Sequence, residues 1–227
     1  MEIIKTIDLV KTYHDNGVPV HALRGVSLTV QSGDFLVIAG PSGSGKTTLL
    51  NLVGALDVPS EGKVCFDGND LSSKSRRELS AFRLNNLGFI FQAYNLIPVL
   101  TAMENIEFTM MLMGIPDGER KERSFRIMSD LGIAELTEKR PNEMSGGQQQ
   151  RVAVARAIVT NPSIVLADEP TANLDSATGA TLLDLMERMN RERNITFIFS
   201  SHDPQVIERG RRLLILRDGM VEREETR

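Results

Sequence analysis

The sequence predicts an α/β fold in which helices cover a central, mainly parallel sheet. Three observations lead to this prediction. Strand and helix patterns alternate over residues 162–227, a glycine-rich turn joins an apolar run to a helical pattern within residues 35–56, and a long block without strand signals lies between these regions. Alternation of this kind is typical of parallel sheets with crossover helices. The 227 residues, 41% of them hydrophobic, are enough for one domain with a sizeable core.

The first third of the chain is rich in strand patterns. Alternating apolar residues predict strands at 3–9, 27–30, 34–39 and 64–66. Helical spacing of apolar residues over 46–56 predicts the first helix. A further strand at 88–91 leads into Gln92, and the single Cys65 reads as a small apolar residue of a strand.

The remainder divides into a helical block and a region of alternating elements. Helices are predicted at 104–114, 119–131 and 145–160, and the absence of strand signals among them predicts an inserted lobe over 93–161. The apolar run 164–167 is typical of a buried parallel strand. The elements predicted after it are a helix at 177–191, a strand at 195–200, a short helix at 205–209, a strand at 212–217 and a terminal hairpin at Asp218-Gly219.

Composition limits the class of partner. The net charge of −4 lacks the basic excess of a dedicated nucleic-acid binder, so no nucleic-acid partner is expected. No stretch approaches the roughly 18 apolar residues of a membrane helix, and the N-terminus lacks the pattern of a signal peptide. A single cysteine suits a reducing compartment. We therefore expect a soluble protein of the cytoplasm.

A glycine-rich turn follows the strand at 34–39. Residues 40–47, GPSGSGKT, fit the pattern G-x-x-x-x-G-K-[ST] between a strand and a helix. Glycines let main-chain N–H groups converge on one point, and the helix N-terminus near Lys46 adds unpaired N–H groups and a positive dipole end. Lys46 is expected at the terminal phosphates of a nucleoside triphosphate and the Thr47 hydroxyl on Mg²⁺. The residues of this turn expected to bind ATP are Gly40, Pro41, Ser42, Gly43, Ser44, Gly45, Lys46, Thr47 and Thr48.

Two adjacent carboxylates follow the apolar run 164–167. Asp168 and Glu169 stand at the carboxyl end of a predicted strand, where ligands bind in open α/β sheets. We expect Asp168 to hold Mg²⁺ and Glu169 to take a proton from an attacking water. The same pair would suit a capped turn, so this prediction depends on the phosphate loop upstream. A carboxylate base that stands one residue after a metal ligand favours hydrolysis by an activated water. This favours an ATPase over a kinase.

A second helix terminus suited to phosphate begins at Ser145. Serine is a favourable N-cap, and the two glycines after it leave the first-turn N–H groups accessible. The pieces KTY, GPSGSGKTT, GFIFQ, MSGGQQQR, IVLADEP, ANLD and SSHD stand in the order found in the ATP-binding subunits of ABC transporters. The chain resembles that family along essentially its whole length. Met144 stands where the family usually has Leu, which is a volume-conserving replacement.

The resemblance implies a particular architecture. The expected fold is a P-loop NTPase with a RecA-like core and a mixed, mainly parallel sheet, an N-terminal antiparallel β subdomain and an inserted α-helical subdomain. The implied boundaries are 1–92 and 162–227 for the core with the β subdomain, and 93–161 for the helical subdomain.

The resemblance also implies residue roles. Tyr13 would stack on adenine, although by itself it is equally well an ordinary strand tyrosine. Gln92 would sense Mg²⁺ and the attacking water, His202 would contact the γ-phosphate beside the base Glu169, and Asp175 would lie at the junction of two ATPase subunits. The residues implied for Mg²⁺ are Thr47, Gln92 and Asp168, and those of the signature helix implied for ATP are Ser145, Gly146, Gly147 and Gln148.

In the family, the signature helix serves the nucleotide of a second subunit. The resemblance therefore implies that two copies of the chain, or two homologues, enclose two ATP molecules head to tail, with the homodimer favoured. An ATPase without a membrane span must pass its conformational change to another protein, and such subunits contact permeases instead of cargo. The implied location is peripheral, on the inner face of the cell membrane.

The segment 94–100, which begins at Tyr94 and ends at Leu100, is rich in apolar residues for a loop. Exposed apolar side chains make adaptable docking surfaces, so we expect a separate permease to insert a cytoplasmic helix there. The nearby methionines either join this surface or pack the helical lobe: Met103, Met110, Met111 and Met113. The stretches GFIFQAYNLIPVLTAMENI and ADEPTANLDSATG resemble the subgroup that serves lipoprotein-release and macrolide-export systems.

Two other classes remain open from the sequence. A soluble nucleic-acid-associated ABC ATPase would carry a long coiled-coil insertion or two cassettes in one chain, and this sequence has neither. A nucleotide-dependent binding module without catalysis would be expected to lack Glu169 or His202, and both are present. The favoured interpretation is the energy-coupling ATPase of a transporter or of a mechanical membrane complex, with export, lipoprotein release or mechanotransmission as its role.

Overall fold

Ten strands in two sheets are found in the computed structural model, which describes residues 1–15 and 18–227. The larger sheet has the order β10-β9-β3-β8-β7-β6 and contains β3 (Phe35–Ala39), β6 (Leu87–Ile90), β7 (Ile164–Asp168), β8 (Thr196–Ser200), β9 (Arg212–Arg217) and β10 (Met220–Thr226). Every neighbouring pair in it is parallel except β9 with β10. The smaller, antiparallel sheet has the order β2-β1-β4-β5 and contains β1 (Glu2–Asp15), β2 (Val18–Gln31), β4 (Glu61–Phe66) and β5 (Asn69–Asp70).

The helices fall into two groups by their place in the chain. Those interspersed with the strands are α1 (Lys46–Val53), α2 (Arg76–Asn86), α6 (Ser176–Arg193) and α7 (Pro204–Arg209). Those between β6 and β7 are α3 (Ala102–Leu112), α4 (Asp117–Asp130) and α5 (Gly146–Ile158), with short 3₁₀ turns at Ala134–Leu136 and Pro141–Glu143. In the described residues, no helix combines the length and the apolar character needed to cross a bilayer.

The large sheet separates two hydrophobic cores. Side chains alternate between faces along a strand, and in β3 Phe35, Val37 and Ala39 belong to one core while Leu36 and Ile38 belong to the other. The first core continues through α3, α4, α5 and α6, and the second lies among α1, α2 and the antiparallel sheet. Helix α5 packs directly against the backbone of β6 at Gly88. Any larger residue would clash there, because a Cβ on Gly88 would lie 2.2 Å from the carbonyl oxygen of Ala157 in α5.

The predicted fold class is confirmed, but several elements differ from the predicted ones. Strands β1 and β2 have 14 residues each, far more than the predicted 3–9 and 27–30. Register shifts, including those between Thr6 and Leu9 and between Lys11 and Thr12, break the apolar alternation on which the prediction relied. The first helix ends at Val53, three residues before the predicted end, because Ala55 has a φ of 52° that a helix cannot contain.

Helix α2 was absent from the predicted elements. Only one of its side chains, that of Leu79, is buried, so no apolar period marks it. A local signal does exist. The Ser75 hydroxyl accepts a hydrogen bond from the N–H of Glu78, and the Glu78 carboxylate accepts one from the N–H of Ser75, which is a capping box readable from S-x-x-E.

Candidate functional site

The phosphate loop joins β3 to α1 and has three residues in the left-handed region. Gly40, Gly43 and Gly45 have φ angles of 151°, 78° and 101°. A Cβ on Gly40 would lie 2.1 Å from the carbonyl oxygen of Leu216, and one on Gly45 would lie 2.5 Å from that of Ala22. Both positions therefore require glycine, and the loop lies directly against the neighbouring backbone of β9 and β2.

A cavity of about 550 Å³ opens over this loop. Its volume lies within the range of ligand pockets. The cavity is lined by Val20, His21, Ala22, Pro41, Ser42, Gly43, Gly45, Lys46, Thr47, Thr48, Gln92, Glu169, Ala172 and His202. Four separate pieces of the sequence thus meet at one concave surface: the phosphate loop, Gln92, Glu169 and His202. Asp168, which was predicted together with Glu169, is not among the lining residues. Gly40 and Ser44 form the loop without lining the cavity.

Lys46 supplies a positive charge at the base of the cavity. Its Nζ donates to the carbonyl oxygens of Gly40 and Pro41 at 2.9 and 3.0 Å, and the residue is 7% exposed. No carboxylate forms an ion pair with it among the described residues. Carbonyl oxygens orient an ammonium group without neutralising it, so its charge is available to an anion.

Thr47 and Asp168 form an oxygen-rich point beside Lys46. The Thr47 hydroxyl lies 3.1 and 3.2 Å from the two carboxylate oxygens of Asp168. A hydroxyl and a carboxylate are the hard oxygen donors that Mg²⁺ prefers, so these residues fit the ion. The described residues contain no group of three His, Cys, Asp or Glu side chains able to hold a metal alone.

Glu169 lines the cavity, and two neighbouring side chains contact its carboxylate. Its φ of 45° is unusual for a non-glycine residue, and its N–H donates to the Ser200 carbonyl at 2.8 Å. The carboxylate accepts a hydrogen bond from the Ser201 hydroxyl at 2.8 Å and contacts Nδ1 of His202 at 2.7 Å. Because a carboxylate only accepts hydrogen bonds, Nδ1 carries the proton in this pair. The Glu169 side chain is 14% exposed and that of His202 is 71% exposed.

Gln92 reaches the cavity from the end of β6. Its main-chain oxygen accepts a hydrogen bond from Nδ2 of Asn173 at 2.8 Å. Asn173 belongs to the segment that follows Glu169, so this hydrogen bond ties the backbone of Gln92 to that segment. The sequence analysis did not assign Asn173, although it stands within the ANLD piece.

Tyr13 lies beside the cavity without lining it. It pairs across the hairpin with Val20, which does line the cavity, and its ring is 39% exposed. Its hydroxyl donates to Asp57 at 2.8 Å, and Nζ of Lys11 lies 4.8 Å from the ring centroid. Burial, and then the hydrogen bond to Asp57, raises the pKa of Tyr13. The ring is therefore held at the mouth of the cavity by Asp57 and Lys11, which sequence reasoning did not assign.

The signature residues line a different cavity. Ser145 is the N-cap of α5: its hydroxyl accepts a hydrogen bond from the N–H of Gln148 at 3.3 Å, and Oε1 of Gln148 accepts one from the N–H of Ser145 at 2.9 Å. This cavity has a volume of about 360 Å³ and includes Ser145, Gly146, Gly147, Gln148, Asn173 and Asp175 among its lining residues. It shares no lining residue with the cavity over the phosphate loop. The two sets of residues predicted to bind phosphate therefore line two separate cavities of the chain.

Asp175 caps helix α6 beside the signature cavity. Its carboxylate accepts hydrogen bonds from the N–H groups of Ala177 and Thr178 at 3.1 and 3.0 Å and from the Thr178 hydroxyl. The Thr178 hydrogen bonds are the main cause that lowers the pKa of Asp175. The residue is thus an ionised cap at the edge of the signature cavity.

Comparison with known proteins decides the family. The family model described as ABC transporter matches residues 23–172 of the chain. The chain belongs to the ABC transporter family. It is an ATP-hydrolysing cassette, the energy-coupling part of such a transporter.

Two relatives illustrate the range of proteins that contain this cassette. The macrolide export ATP-binding/permease protein MacB of Syntrophobacter fumaroxidans is 43% identical over 226 residues, which are 99% of this chain and 32% of that protein. The chain therefore spans about a third of the length of that relative. The ABC transporter ATP-binding protein MJ0796 of Methanocaldococcus jannaschii is 45% identical over 229 residues, which cover 98% of this chain and 97% of that protein.

Solved structures of the MJ0796 cassette match the fold closely. A dimeric structure has a TM-score of 0.93 at 41% identity and covers 99% of this chain and 98% of its own. A second dimeric structure, of a post-hydrolysis state bound to ADP and Pi, has a TM-score of 0.92 at the same identity and coverage. The ABC cassette fold expected from the sequence is thereby confirmed.

Proposed function

We propose that this cassette binds and hydrolyses ATP in a head-to-tail homodimer and drives a separate membrane permease. One observation carries the proposal: the phosphate-loop and signature cavities of the chain are lined by different residues. A signature helix supplied by a second chain would bring both sets of residues to one nucleotide. The dimeric structures of MJ0796 support this arrangement.

Nucleotide binding begins with Lys46. Its ammonium group moves from the carbonyl oxygens of Gly40 and Pro41, 2.9 and 3.0 Å away, to the β- and γ-phosphates of ATP. The N–H groups at the start of α1 bind further phosphate oxygens. Tyr13 stacks on the adenine at the mouth of the cavity. Ser145, Gly146, Gly147 and Gln148 of the second chain complete the contacts to the γ-phosphate.

Hydrolysis uses the carboxylate of Glu169. It takes a proton from water while the water oxygen bonds to the γ-phosphorus. The bond from the γ-phosphorus to the β–γ bridging oxygen breaks, and ADP leaves with that electron pair. Ser201 and His202 fix the carboxylate, and His202 also contacts the γ-phosphate. Thr47, Asp168 and Gln92 would hold Mg²⁺, which when bound neutralises charge that develops on the phosphate oxygens.

The energy of hydrolysis leaves the site through the chain around Gln92. Gln92 lines the nucleotide cavity, while Phe91 and Asn95 line a groove of about 630 Å³ on the other side of the same segment. The guanidinium of Arg156 in α5 donates to the carbonyl oxygens of Tyr94 and Asn95 at 2.8 and 2.6 Å. A movement of Gln92 is therefore passed to the groove and to α5 together.

The permease docks on the segment from Tyr94 to Leu100 and the adjoining groove. Asn105 shapes this segment: it accepts from the N–H of Ile97 and donates to the carbonyls of Ile97, Leu100 and Thr101. Val99 projects into solvent with 73% of its surface exposed. The methionines contribute unequally, since Met110 is fully buried, Met103 packs partly on the core and Met111 is 49% exposed. Packing of the helical lobe thus accounts for part of the methionine cluster.

We extend the proposal to the domain boundaries and the cellular role. Residues 1–92 and 162–227 form the core with its β subdomain, and 93–161 form the helical subdomain that contacts the permease. The relative MacB combines an ATP-binding and a permease part in one protein. We assign the present cassette to the same type of export or lipoprotein-release system, peripheral on the inner face of the membrane. No direct contact with cargo and none with nucleic acid is expected.

The Glu169→Gln variant tests this proposal. It should bind Mg-ATP, hydrolyse it at least about 100-fold more slowly than the unaltered protein, and accumulate as a dimer measurable by light scattering. The double variant Lys46→Ala, Glu169→Gln is the matched control and should stay monomeric with ATP. Normal turnover in Glu169→Gln would refute the base, and a monomer at saturating ATP would refute the dimer.

A further inference from the structure

The ring of Tyr13 stands on a part of the hairpin that has little support of its own. The last pairing of β1 with β4 joins Val10 to Glu61, and beyond it β1 pairs with β2 as far as Asp15. This end of the hairpin is thus a two-stranded ribbon, which is only marginally stable by itself. The ring is 39% exposed, so its orientation depends on contacts outside the ribbon.

Asp57, which follows α1 in the chain, binds both Tyr13 and the cation beside its ring. Its Oδ2 accepts a hydrogen bond from the Tyr13 hydroxyl at 2.8 Å, and its Oδ1 accepts one from Nζ of Lys11 at 2.7 Å. The N–H of Val58 donates to Oδ1 at 2.7 Å, and Nζ of Lys11 also donates to the carbonyl of Val58 at 2.8 Å. The carboxylate is therefore held in one orientation, with one oxygen directed at the tyrosine.

The ammonium group of Lys11 covers one face of the tyrosine ring. Its Nζ lies over the ring, 4.8 Å from the centroid, which is within the range of a cation–π interaction. Two other neighbours of Tyr13 line the nucleotide cavity: Val20, its partner on β2, and Thr48, a hydrogen-bonding neighbour of the phenol. The ring is thus held by Lys11 and Asp57 beside residues that line the nucleotide cavity.

The segment that contains Asp57 turns back along α1, the helix that begins at the phosphate loop. The chain reverses at Ala55, which has a φ of 52°. The N–H groups of Leu56 and Asp57 then donate to the carbonyl oxygen of Asn51 in α1, at 2.9 and 3.3 Å. The chain from Lys46, in the phosphate loop, to Asp57, at the tyrosine, is therefore one compact unit.

We propose that Asp57 is a positioning residue for the nucleobase: with Lys11 it fixes the ring of Tyr13 relative to the phosphate loop, so that base stacking and phosphate binding occur together. This rests on the proposed function, in which Tyr13 stacks on adenine. A ring without this support has to be ordered when the nucleotide binds, which weakens binding of the base and leaves binding of the phosphates unaffected. Asp57 therefore increases the preference of the site for a nucleoside triphosphate over a bare triphosphate.

Two ligands separate the base from the phosphates in an experiment. One is the β,γ-imido analogue of ATP and the other is inorganic tripolyphosphate, each titrated with Mg²⁺ by isothermal titration calorimetry. Tyr13→Phe keeps the ring and removes only the hydroxyl. In this variant the Kd of the ATP analogue should rise about fivefold while the Kd of tripolyphosphate stays constant, because stacking contributes roughly tenfold or more per base and only part of it is lost. Asp57→Ala should show the same selective loss.

The two positions should behave as one unit, because they share one hydrogen bond. The double variant Tyr13→Phe, Asp57→Ala should lose no more affinity for the ATP analogue than Asp57→Ala alone. Asp57→Asn, whose amide can still bond to Lys11 and to the phenol oxygen, should retain most of the preference for the analogue. Glu192→Ala removes the same charge from an exposed position of α6, outside the residues that line the nucleotide cavity, and should change neither Kd.

An equal loss of affinity for both ligands in Asp57→Ala would overturn the proposal, since it would assign Asp57 to the phosphate-loop helix alone. Unchanged affinity for the ATP analogue in Tyr13→Phe, or additive losses in the double variant, would also overturn it. If Asp57→Ala does not fold, Tyr13→Phe decides the question. An unaltered protein that binds neither ligand refutes the proposed function, whereas normal binding without the selective loss refutes the role of Asp57 alone.

Discussion

The hydroxyl of Thr47 lies 3.1 Å from one carboxylate oxygen of Asp168, although 121 positions separate the two residues in the chain. The two strands that bring them together, β3 and β7, are not direct neighbours, since β8 lies between them. All three are parallel, so their carboxyl ends reach the same edge of the sheet. The first residue of α1 after Lys46 and the last residue of β7 therefore meet at one point.

Removal of one oxygen donor at this point should weaken the response to Mg²⁺. In Thr47→Ala the Mg²⁺ concentration for half-maximal ATP hydrolysis should rise by about tenfold or more, because a ligand and its hydrogen bond to Asp168 are lost together. Thr47→Ser keeps the hydroxyl and is the control, with a near-normal Mg²⁺ requirement. An unchanged Mg²⁺ curve in Thr47→Ala would show that this hydroxyl is not a ligand.

His202 should affect turnover more than binding. Its Nδ1 contacts the Glu169 carboxylate at 2.7 Å, so His202→Ala leaves the base less well oriented. We expect kcat to fall about 100-fold with little change in KM for ATP. His14→Ala, a change on β1 outside the residues that line the nucleotide cavity, should leave both constants alone. A rise in KM at constant kcat would assign His202 to binding only.

Asp57, which lies beside the nucleotide cavity, should make the stability of the folded protein depend on pH. Burial raises the pKa of the Asp57 carboxyl. Hydrogen bonds from Lys11, Tyr13 and the N–H of Val58 outweigh burial and lower this pKa in the folded state. A lowered folded-state pKa contributes stability above the ordinary carboxyl pKa of about 4, and that stability is lost as the pH falls through the folded-state value. The unaltered protein should therefore exceed Asp57→Asn in Tm at pH 7 and lose this margin below about pH 4. A margin that stays constant down to pH 3, or that is absent in thermal unfolding at pH 7, would contradict this assignment.

Gln150 should be important for stability although it binds no nucleotide. It is fully buried in α5, and its Nε2 donates to the carbonyl of Pro170 at 2.7 Å, directly after Glu169. Gln150→Met preserves the volume but leaves that carbonyl unpaired, which should cost about 1–3 kcal/mol in the free energy of unfolding by urea. Gln149→Met, at a half-buried neighbour, is the control and should cost less. Equal losses in the two variants would mean that the bond to Pro170 contributes nothing specific.

The sequence predicted which residues lie together at the site more completely than it predicted the scaffold around them. The phosphate loop, Asp168 and Glu169 are local patterns with a fixed strand-to-loop context, so their placement followed from the sequence. Helix α2 was missed because it buries a single leucine, and β1 and β2 were cut short at bulges.

The supporting contacts lay beyond prediction for a different reason. The Tyr13 hydroxyl donates to Asp57, Nδ2 of Asn173 donates to the Gln92 carbonyl, and Arg156 donates to the Tyr94 carbonyl. The two residues of these pairs are 44, 81 and 62 positions apart in the chain, respectively. No period or spacing in the chain marks such pairs, because they arise only when separate elements pack. The lack of any shared residue between the phosphate-loop and signature cavities is likewise a property of the folded chain.

Mixing two inactive variants tests the two-chain site most directly. Lys46→Ala disables the phosphate loop and keeps the signature helix, while Gly146→Asp disables the signature helix and keeps the phosphate loop. Each variant alone should lack ATPase activity. If the site is built from two chains, their heterodimer contains one intact site, and the mixture should hydrolyse ATP well above the sum of its parts. A mixture no more active than the separate variants would contradict the account.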